Sequence, residues 1–390
     1  MNILVLASFY PTDDLPMRGI FFKEQAEMCS NDQSLTLNIL YNELRSLNMF
    51  RPSSLMKFRF QITEGFENNL FVTRRHYWNI IPTKLWLGRK LWIWSSYRLF
   101  LHYKKKHGLP DLLHVQGSFM AGELAHKINK RFKIPYLLNE HSNIFEGTLP
   151  GNKFKQLYHD IFQSAALIIT VSHSLKKIIV SHFQLHSAAV TVVPNFIDTE
   201  YFKPISDSPG NPGKFTFLCI CSLTKNKSVD RLIRSFHNTF YNDKNISLQI
   251  GGQGPELSSL MTLVDRLNLQ SQVTFLGPLN RKEVRLHLNA CNSLVLPSER
   301  ETFGVVLIEA LSMGKPVIST RCGGPEDIIT PECGLLTEKT DMDLGASLQY
   351  LHTHIHKYDP IRIRNHSIEK FGEKQVVPLI QSIYKSLIYN

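Results

Sequence analysis

The segment 297–320 reads PSERETFGVVLIEALSMGKPVIST and sets two carboxylates, Glu301 and Glu309, eight residues apart around a glycine. Ionised carboxylates accept hydrogen bonds from hydroxyls, so a pair at this spacing suits a polyhydroxylated ligand. Gly304 lets the backbone turn tightly and approach a bound molecule. The apolar run from Val305 to Met313 predicts a helix that stops at Gly314 and Pro316. Its first N–H groups and positive dipole end suit a phosphate. Glu309 falls about a turn and a half inside this helix, within reach of ribose hydroxyls. Its neighbours Leu307, Ile308, Ala310 and Leu311 are apolar, so a carboxylate among them without a partner would be costly. The preceding SLVLPS reads as a strand. Glu301 therefore lies at a strand's carboxyl end, where open α/β sheets bind ligands.

The elements that must position these groups alternate along the chain. ILVLASF, LTLNILY, DLLHVQ, IPYLLNEH, ALIITVS and VTVVPN are short apolar runs with strand character. Helix-like segments such as GIFFKEQAEMCS and AGELAHKINKRF fall between them. The rhythm repeats with FTFLCICSL, SLQIGG, QVTFLG, SLVLPS and PVIST. Strands separated by helices predict parallel, doubly wound sheets, here in two Rossmann-like domains facing across a cleft. The prolines and glycines of 198–213 mark a linker. The predicted layout is a first domain over 1–197, a second over 198–370, and a C-terminal helix over 371–390 that packs back on the first.

Hydrophobic residues make up 43% of the chain, enough for a full core and against disorder. The six cysteines include no C-x-x-C pair, which argues for a reduced, cytosolic setting rather than a disulfide framework or a zinc site. No export signal and no apolar stretch of membrane-spanning length is read from the sequence. Residues 1–195 carry 23 Lys+Arg and 13 Asp+Glu, net +10, whereas the remainder holds 21 and 20, net +1. The first half is expected to face something anionic. Within it, residues 74–106 have nine Lys+Arg, no acid, and all four tryptophans, Trp78, Trp86, Trp92 and Trp94. Four indoles beside so many cations point to an anionic membrane surface rather than to a core helix. No nucleic-acid motif accompanies the charge, so nucleic acid is not expected as a partner.

The pattern PS-x-x-E-x-F-G-x-x-x-x-E-A-x-x-x-G-x-P-V resembles that of the retaining glycosyltransferases of family four, the group 1 glycosyltransferases, which have the GT-B fold. ILVLASFYPT…RGIFFKEQA, VVPNFID, GGQGPEL and VTFLGPL are similar to other signatures of the family, so the resemblance extends over nearly the whole chain. It implies that Glu301 binds hydroxyls of the donor sugar and that the backbone of Thr302, Phe303 and Gly304 holds the same sugar. Val305 would cap the phosphate region, and Glu309 would hold the ribose. Lys227 matches the family's diphosphate-binding lysine, and Gly19 the glycine laid against the diphosphate. His141 matches the strand-end histidine near the donor sugar. Backbone near Gly254 and Gly277 would meet the base.

The chain departs from the family twice. Cys221 and Ser222 stand where the family often has Gly-Arg, which leaves Arg18, Arg231 or Arg321 to compensate. His114-Val-Gln116 stands where it often has H-x-H. No D-x-D motif sits in a strand-end loop, and His352, His354 and His356 have no carboxylate framework, so no metal and no cofactor are expected. The resemblance implies transfer of a hexose from a nucleotide-diphosphate sugar to a hydroxyl of a glycan or lipid-linked acceptor, by front-face attack. The expected setting is polysaccharide synthesis on the cytoplasmic face of the membrane. A GT-B epimerase or phosphorylase, or a non-catalytic nucleotide-sugar-binding protein, would share the fold.

Overall fold

The computed structural model describes the chain except residues 14, 16–17, 46–57, 79–80, 82–85, 143–150, 206–212 and 390, and the side chains of 86 and 151–154. It divides into two compact units. The first takes residues 1–171, 176–193 and 377–390, and the second takes 172–175 and 194–376.

The first unit contains β1 (Asn2–Ala7), α1 (Ile20–Cys29), β2 (Thr36–Arg45), β3 (Ile62–Glu67), β4 (Leu70–Trp78), α2 (Trp86–His107), β5 (Leu112–Gln116), α3 (Glu123–Phe132), β6 (Tyr136–Glu140), α4 (Gly151–Gln163), β7 (Leu167–Thr170), α5 (His173–Phe183, its first turn in the second unit) and β8 (Val190–Val192). The sheet order is β3-β4-β2-β1-β5-β6-β7-β8. Every pairing is parallel except β3 with β4. The apolar run Ile3–Ala7 is buried throughout, as is Leu112–Val115 with His114 inside it, as strands covered on both faces must be.

The second unit contains β9 (Phe215–Ile220), α6 (Val229–Phe240), β10 (Ile246–Gly251), α7 (Leu257–Arg266), β11 (Val273–Gly277), α8 (Arg281–Ala290), β12 (Ser293–Leu296), α9 (Val305–Ser312), β13 (Val317–Thr320), β14 (Gly334–Thr337), α10 (Asp341–Thr353) and α11 (Pro360–Phe371). Its sheet runs β11-β10-β9-β12-β13-β14, parallel throughout. On α6, Val229, Leu232, Ile233, Phe236 and Phe240 recur at helical spacing and are buried, which fixes the face it lays on the sheet. A capping box between Asn280 and Glu283 starts α8. The last helix, α12 (Glu373–Tyr389), starts in the second unit and from Val377 onward belongs to the first. There Tyr384 Oη lies 2.7 Å from His114 Nδ1, and Lys385 Nζ lies 2.8 Å from Asp32.

Three strands escape the sequence reading. The β3–β4 hairpin turns on Asn68 and Asn69, with Asn68 at φ 53°. Its Asn-Asn signal is weaker than Asn-Gly, and Glu64, Gly65 and Glu67 dilute the strand pattern. Strand β14 is only GLLT. Within 74–106 the tryptophans do not share one environment. Trp78 and Trp92 are each 2% exposed, and their indole N–H groups donate to the carbonyls of Phe58 and Asn42. Burying them needed only a carbonyl acceptor for each N–H. Trp94 is 54% exposed, and the Trp86 side chain lies outside the described residues. Among the described residues, no helix is long and apolar enough to cross a membrane.

Candidate active site

In each sheet the order reverses once, and a ligand crevice is expected outside the carboxyl ends at that point. In the second unit the reversal falls between β9 and β12. The loop after β9 carries Lys227, in a single turn of 3-10 helix at Lys225–Lys227. The loop after β12 carries Glu301. Lys227 Nζ donates to Glu301 Oε2, and the two side chains are 19% and 15% exposed. Sequence reasoning gave these residues roles; the topology puts them in contact.

The backbone around Glu301 is held from two sides. Its N–H donates to the Cys322 carbonyl at 3.0 Å, and its own carbonyl accepts from Gly324 N–H at 2.7 Å. Gly323 and Gly324 are missed by the sequence reading. A Cβ on Gly324 would fall 2.3 Å from Phe303 Cα, so only glycine lets this strand end lie against residues 302–303. The C-G-G-P-E run after an apolar strand was the available signal. Glu326 accepts from Gly323 N–H at 2.9 Å and fixes that turn.

Gly304 caps α9 in a left-handed conformation, φ 98° and ψ 61°, and supplies no side-chain cap. The helix therefore begins with N–H groups suited to an anion. Thr302 and Val305 are half-buried, Phe303 is buried, and Glu309 is half-buried one turn further along. Behind Lys227, the Arg231 guanidinium donates to Glu299 and, at 3.3 Å, to the Pro297 carbonyl. Arg231 and Glu299 help line a pocket of about 350 Å³ with Thr224, Ser228 and Glu256. Of the arginines considered as substitutes for the missing one, Arg231 is engaged by Glu299 and Arg321 by Glu338 at 3.3 Å. Ser222 is exposed beside half-buried Cys221. Gly254 lies against the same loop, and a Cβ there would meet the Leu223 carbonyl at 2.2 Å. Gly277 accepts from Gly252 N–H at 2.7 Å and has open space where a Cβ would be.

In the first unit the sheet reverses between β1 and β5. Gly19 follows β1 with φ 74°, and a Cβ on it would meet the Phe9 carbonyl oxygen at 2.6 Å. Phe21 and Phe22, at the start of α1, pack on the His141 ring at 5.8 and 5.2 Å. His141 Nε2 lies 3.2 Å from Gln116 Oε1. The Gln116 amide nitrogen donates to Gln25 Oε1 at 2.6 Å and faces His114 Nε2 at 3.2 Å. With its oxygen turned to His141, Gln116 requires the proton on His141 Nε2. His114 Nε2 is then an acceptor, and its Nδ1–H donates to Tyr384 Oη. Burial pushes His114 down to about 3, helped by the charge His141 would carry, and pushes His141 down to about 4. Both imidazoles are neutral at ordinary pH. Next to them Glu140 is fully buried and accepts from the N–H groups of Ser118, His141 and Ser142 at 2.8–3.0 Å. Gln25 lies inside the RGIFFKEQA signature and Glu140 next to His141, but the sequence reading gave neither a role.

The structure thus gathers the predicted residues into two groups, one in each unit. No group of three or more metal-ligating side chains occurs among the described residues. His352 packs its ring on Phe215 and Phe240, at 4.8 and 5.6 Å. That removes it from any surface histidine run.

Comparison with known proteins bears on the family and the fold. Residues 61–201 match the model of Glycosyltransferase Family 4, and residues 203–352 match that of Glycosyl transferases group 1. The chain belongs to the group 1, family 4 glycosyltransferases. This glycosyltransferase is 33% identical over 229 residues to an uncharacterized glycosyltransferase of Methanocaldococcus jannaschii, covering 55% of the chain and 56% of that protein. The chain thus spans little more than half the length of that relative. Among solved structures, sucrose-phosphate synthase from Thermosynechococcus elongatus superposes with a TM-score of 0.80 at 17% identity, over 99% of both chains. Anabaena HepE in complex with UDP superposes with a TM-score of 0.73 at 16% identity, over 99% of this chain and 100% of that one. These likenesses establish the GT-B fold of this glycosyltransferase.

Proposed function

We propose that this glycosyltransferase moves a hexose, with retention of anomeric configuration, from a nucleotide-diphosphate sugar to a hydroxyl of a glycan or lipid-linked acceptor. The observation that carries the reading is the Lys227–Glu301 contact at the sheet's reversal point, beside the uncapped start of α9. A cation and a helix N-terminus suit the charge of a diphosphate, and a carboxylate suits sugar hydroxyls as an acceptor. That HepE was solved with UDP supports a nucleotide donor.

In this reading the acceptor hydroxyl attacks the anomeric carbon from the side the diphosphate leaves, and a departing phosphate oxygen takes the hydroxyl proton. Lys227 Nζ neutralises charge on the leaving diphosphate. Glu301 and the backbone of 302–304 hold the sugar, Glu309 holds the ribose, and backbone at Gly254 and Gly277 lies along the base. His141 orients a sugar hydroxyl through a neutral ring. Catalysis is mainly positioning and charge stabilisation. The basic first half fits an acceptor at the cytoplasmic membrane face, in cell-surface polysaccharide synthesis.

The test is incubation with a panel of uridine and guanosine diphosphate sugars, with released nucleotide as readout. One sugar nucleotide should turn over, and Glu301→Ala should lower turnover more than nucleotide affinity. Unchanged kinetics in both Glu301→Ala and Glu309→Ala would refute the assignment.

A further inference from the structure

Helices α2, α3 and α4 of the first unit line an open groove of about 700 Å³ that holds none of the residues assigned to the transfer reaction. Its volume is that of a small-molecule site. Leu91, Ile93 and Trp94 of α2 and Leu157 of α4 give it apolar walls. Lys127 and Lys130, one turn apart on α3, and Lys90 on α2 line it, with Lys127 Nζ 4.5 Å from the centre of the Tyr97 ring. The lining's carboxylate, Glu123, is held by Arg89 at 3.3 Å. His126, also in the lining, is 6% exposed, and its Nδ1 has no hydrogen-bond partner.

An apolar slot with surplus positive charge suits a molecule with a hydrocarbon body and an anionic head. Inorganic phosphate would leave the apolar walls unused, and a neutral chain would leave the excess of lysines over carboxylates in the lining unmatched. The exposed residues along the same side of α2 narrow the choice. Leu87 and Trp94 are 48% and 54% exposed there, with Arg98 stacked over the Trp94 ring at 5.5 Å and Lys105 exposed two turns on. Indole, leucine and cations on one helical face suit a membrane–water interface. We propose that this pocket takes one hydrocarbon chain of an anionic phospholipid, with the phosphate held by Lys127 and Lys130 while α2 lies on the bilayer. The inference deepens, and rests on, the reading that the protein works at a membrane.

Tryptophan fluorescence of the full chain, titrated with dodecyl phosphate, dodecanol and inorganic phosphate, tests the pocket. Co-sedimentation with phosphatidylcholine vesicles, with and without phosphatidylglycerol, tests the surface. Dodecyl phosphate should bind saturably and more tightly than either fragment, and sedimentation should require phosphatidylglycerol. Lys127→Ala with Lys130→Ala should weaken vesicle binding roughly thirtyfold, from about 1 kcal/mol per lysine. Leu157→Trp should block dodecyl phosphate by filling the slot. The lysine variants lie on the surface and keep the test valid if Leu157→Trp misfolds. Dodecyl phosphate binding no tighter than phosphate, or vesicle binding unchanged in the lysine pair, would overturn the proposal. So would light scattering showing that a second copy of the chain covers the face. Nucleotide release from sugar nucleotides is scored separately, so failure of the lipid site and failure of the transferase reading are distinguishable.

Discussion

Lys227 donates a hydrogen bond to Glu301 although 74 positions separate them in sequence. The contact joins the loops after β9 and β12, the neighbouring strands between which the sheet reverses. In the proposed reaction each partner has a different target, the diphosphate for Lys227 and the sugar for Glu301. Donor binding must therefore divide the pair. Lys227→Ala should lower kcat/KM for donor roughly 10²–10³-fold, the usual loss on deleting one group that stabilises transition-state charge. It should also leave Glu301 without its ammonium partner. The double variant Lys227→Ala with Glu301→Gln should then lose less than the product of the single losses. Steady-state kinetics on all three proteins decide this, and strict additivity would count against a shared site.

Glu309 lies on a helix whose adjoining positions, Ile308 and Ala310, are buried. If it holds ribose hydroxyls, Glu309→Ala should weaken nucleoside diphosphate binding roughly tenfold or more, the range for hydrogen bonds to a charged group. The thermal shift given by the preferred nucleoside diphosphate should shrink accordingly. Turnover at saturating donor should change less than affinity.

Two glycines of the proposed base region should respond differently to alanine. At Gly254 the new Cβ would sit 2.2 Å from the Leu223 carbonyl oxygen, which is backbone and cannot swing aside. Gly254→Ala should cost about 3 kcal/mol. At Gly277 nothing lies within 4 Å, and the cost is that of φ 72° alone, about 1 kcal/mol. Urea unfolding of both variants tests the order.

The proposed donor half could be read from the sequence because its residues are compressed into one local stretch. Residues 301–309 hold a strand end, a glycine turn and a helix start in sequence order. The supports of that stretch were not legible. Gly324 acts by lacking a side chain against Phe303, and Gly323 and Gly324 reach the site from the next strand. The first unit was harder for the same reason. Gln25, Gln116 and Tyr384 come from three separate segments, and only folding makes them a network around two histidines. The tryptophans misled because composition shows how many indoles a segment holds but not which N–H finds a carbonyl.

The buried histidines predict a sign for pH dependence. Burial holds His114 at about 3 and His141 at about 4, against about 6.5 in an unfolded chain. The unfolded chain takes up these protons first as pH falls. The contribution is therefore complete above about 6.5 and is lost as pH drops through about 4. Melting temperature should fall over that window, and His114→Asn should flatten the fall while lowering stability at neutral pH. Gln116 separates orientation from burial. In the native chain its oxygen holds the proton on His141 Nε2, and ¹⁵N shifts of the ring should report that tautomer. Gln116→Glu keeps the shape and puts a carboxylate between the two imidazoles, favouring their charged forms. The His141 titration should move upward, and the low-pH limb of kcat should move with it. Gln116→Met removes the acceptor without adding charge, so it should scramble the tautomer and lower kcat without shifting that limb. An Nδ1-protonated His141 in the native protein would overturn the network as described.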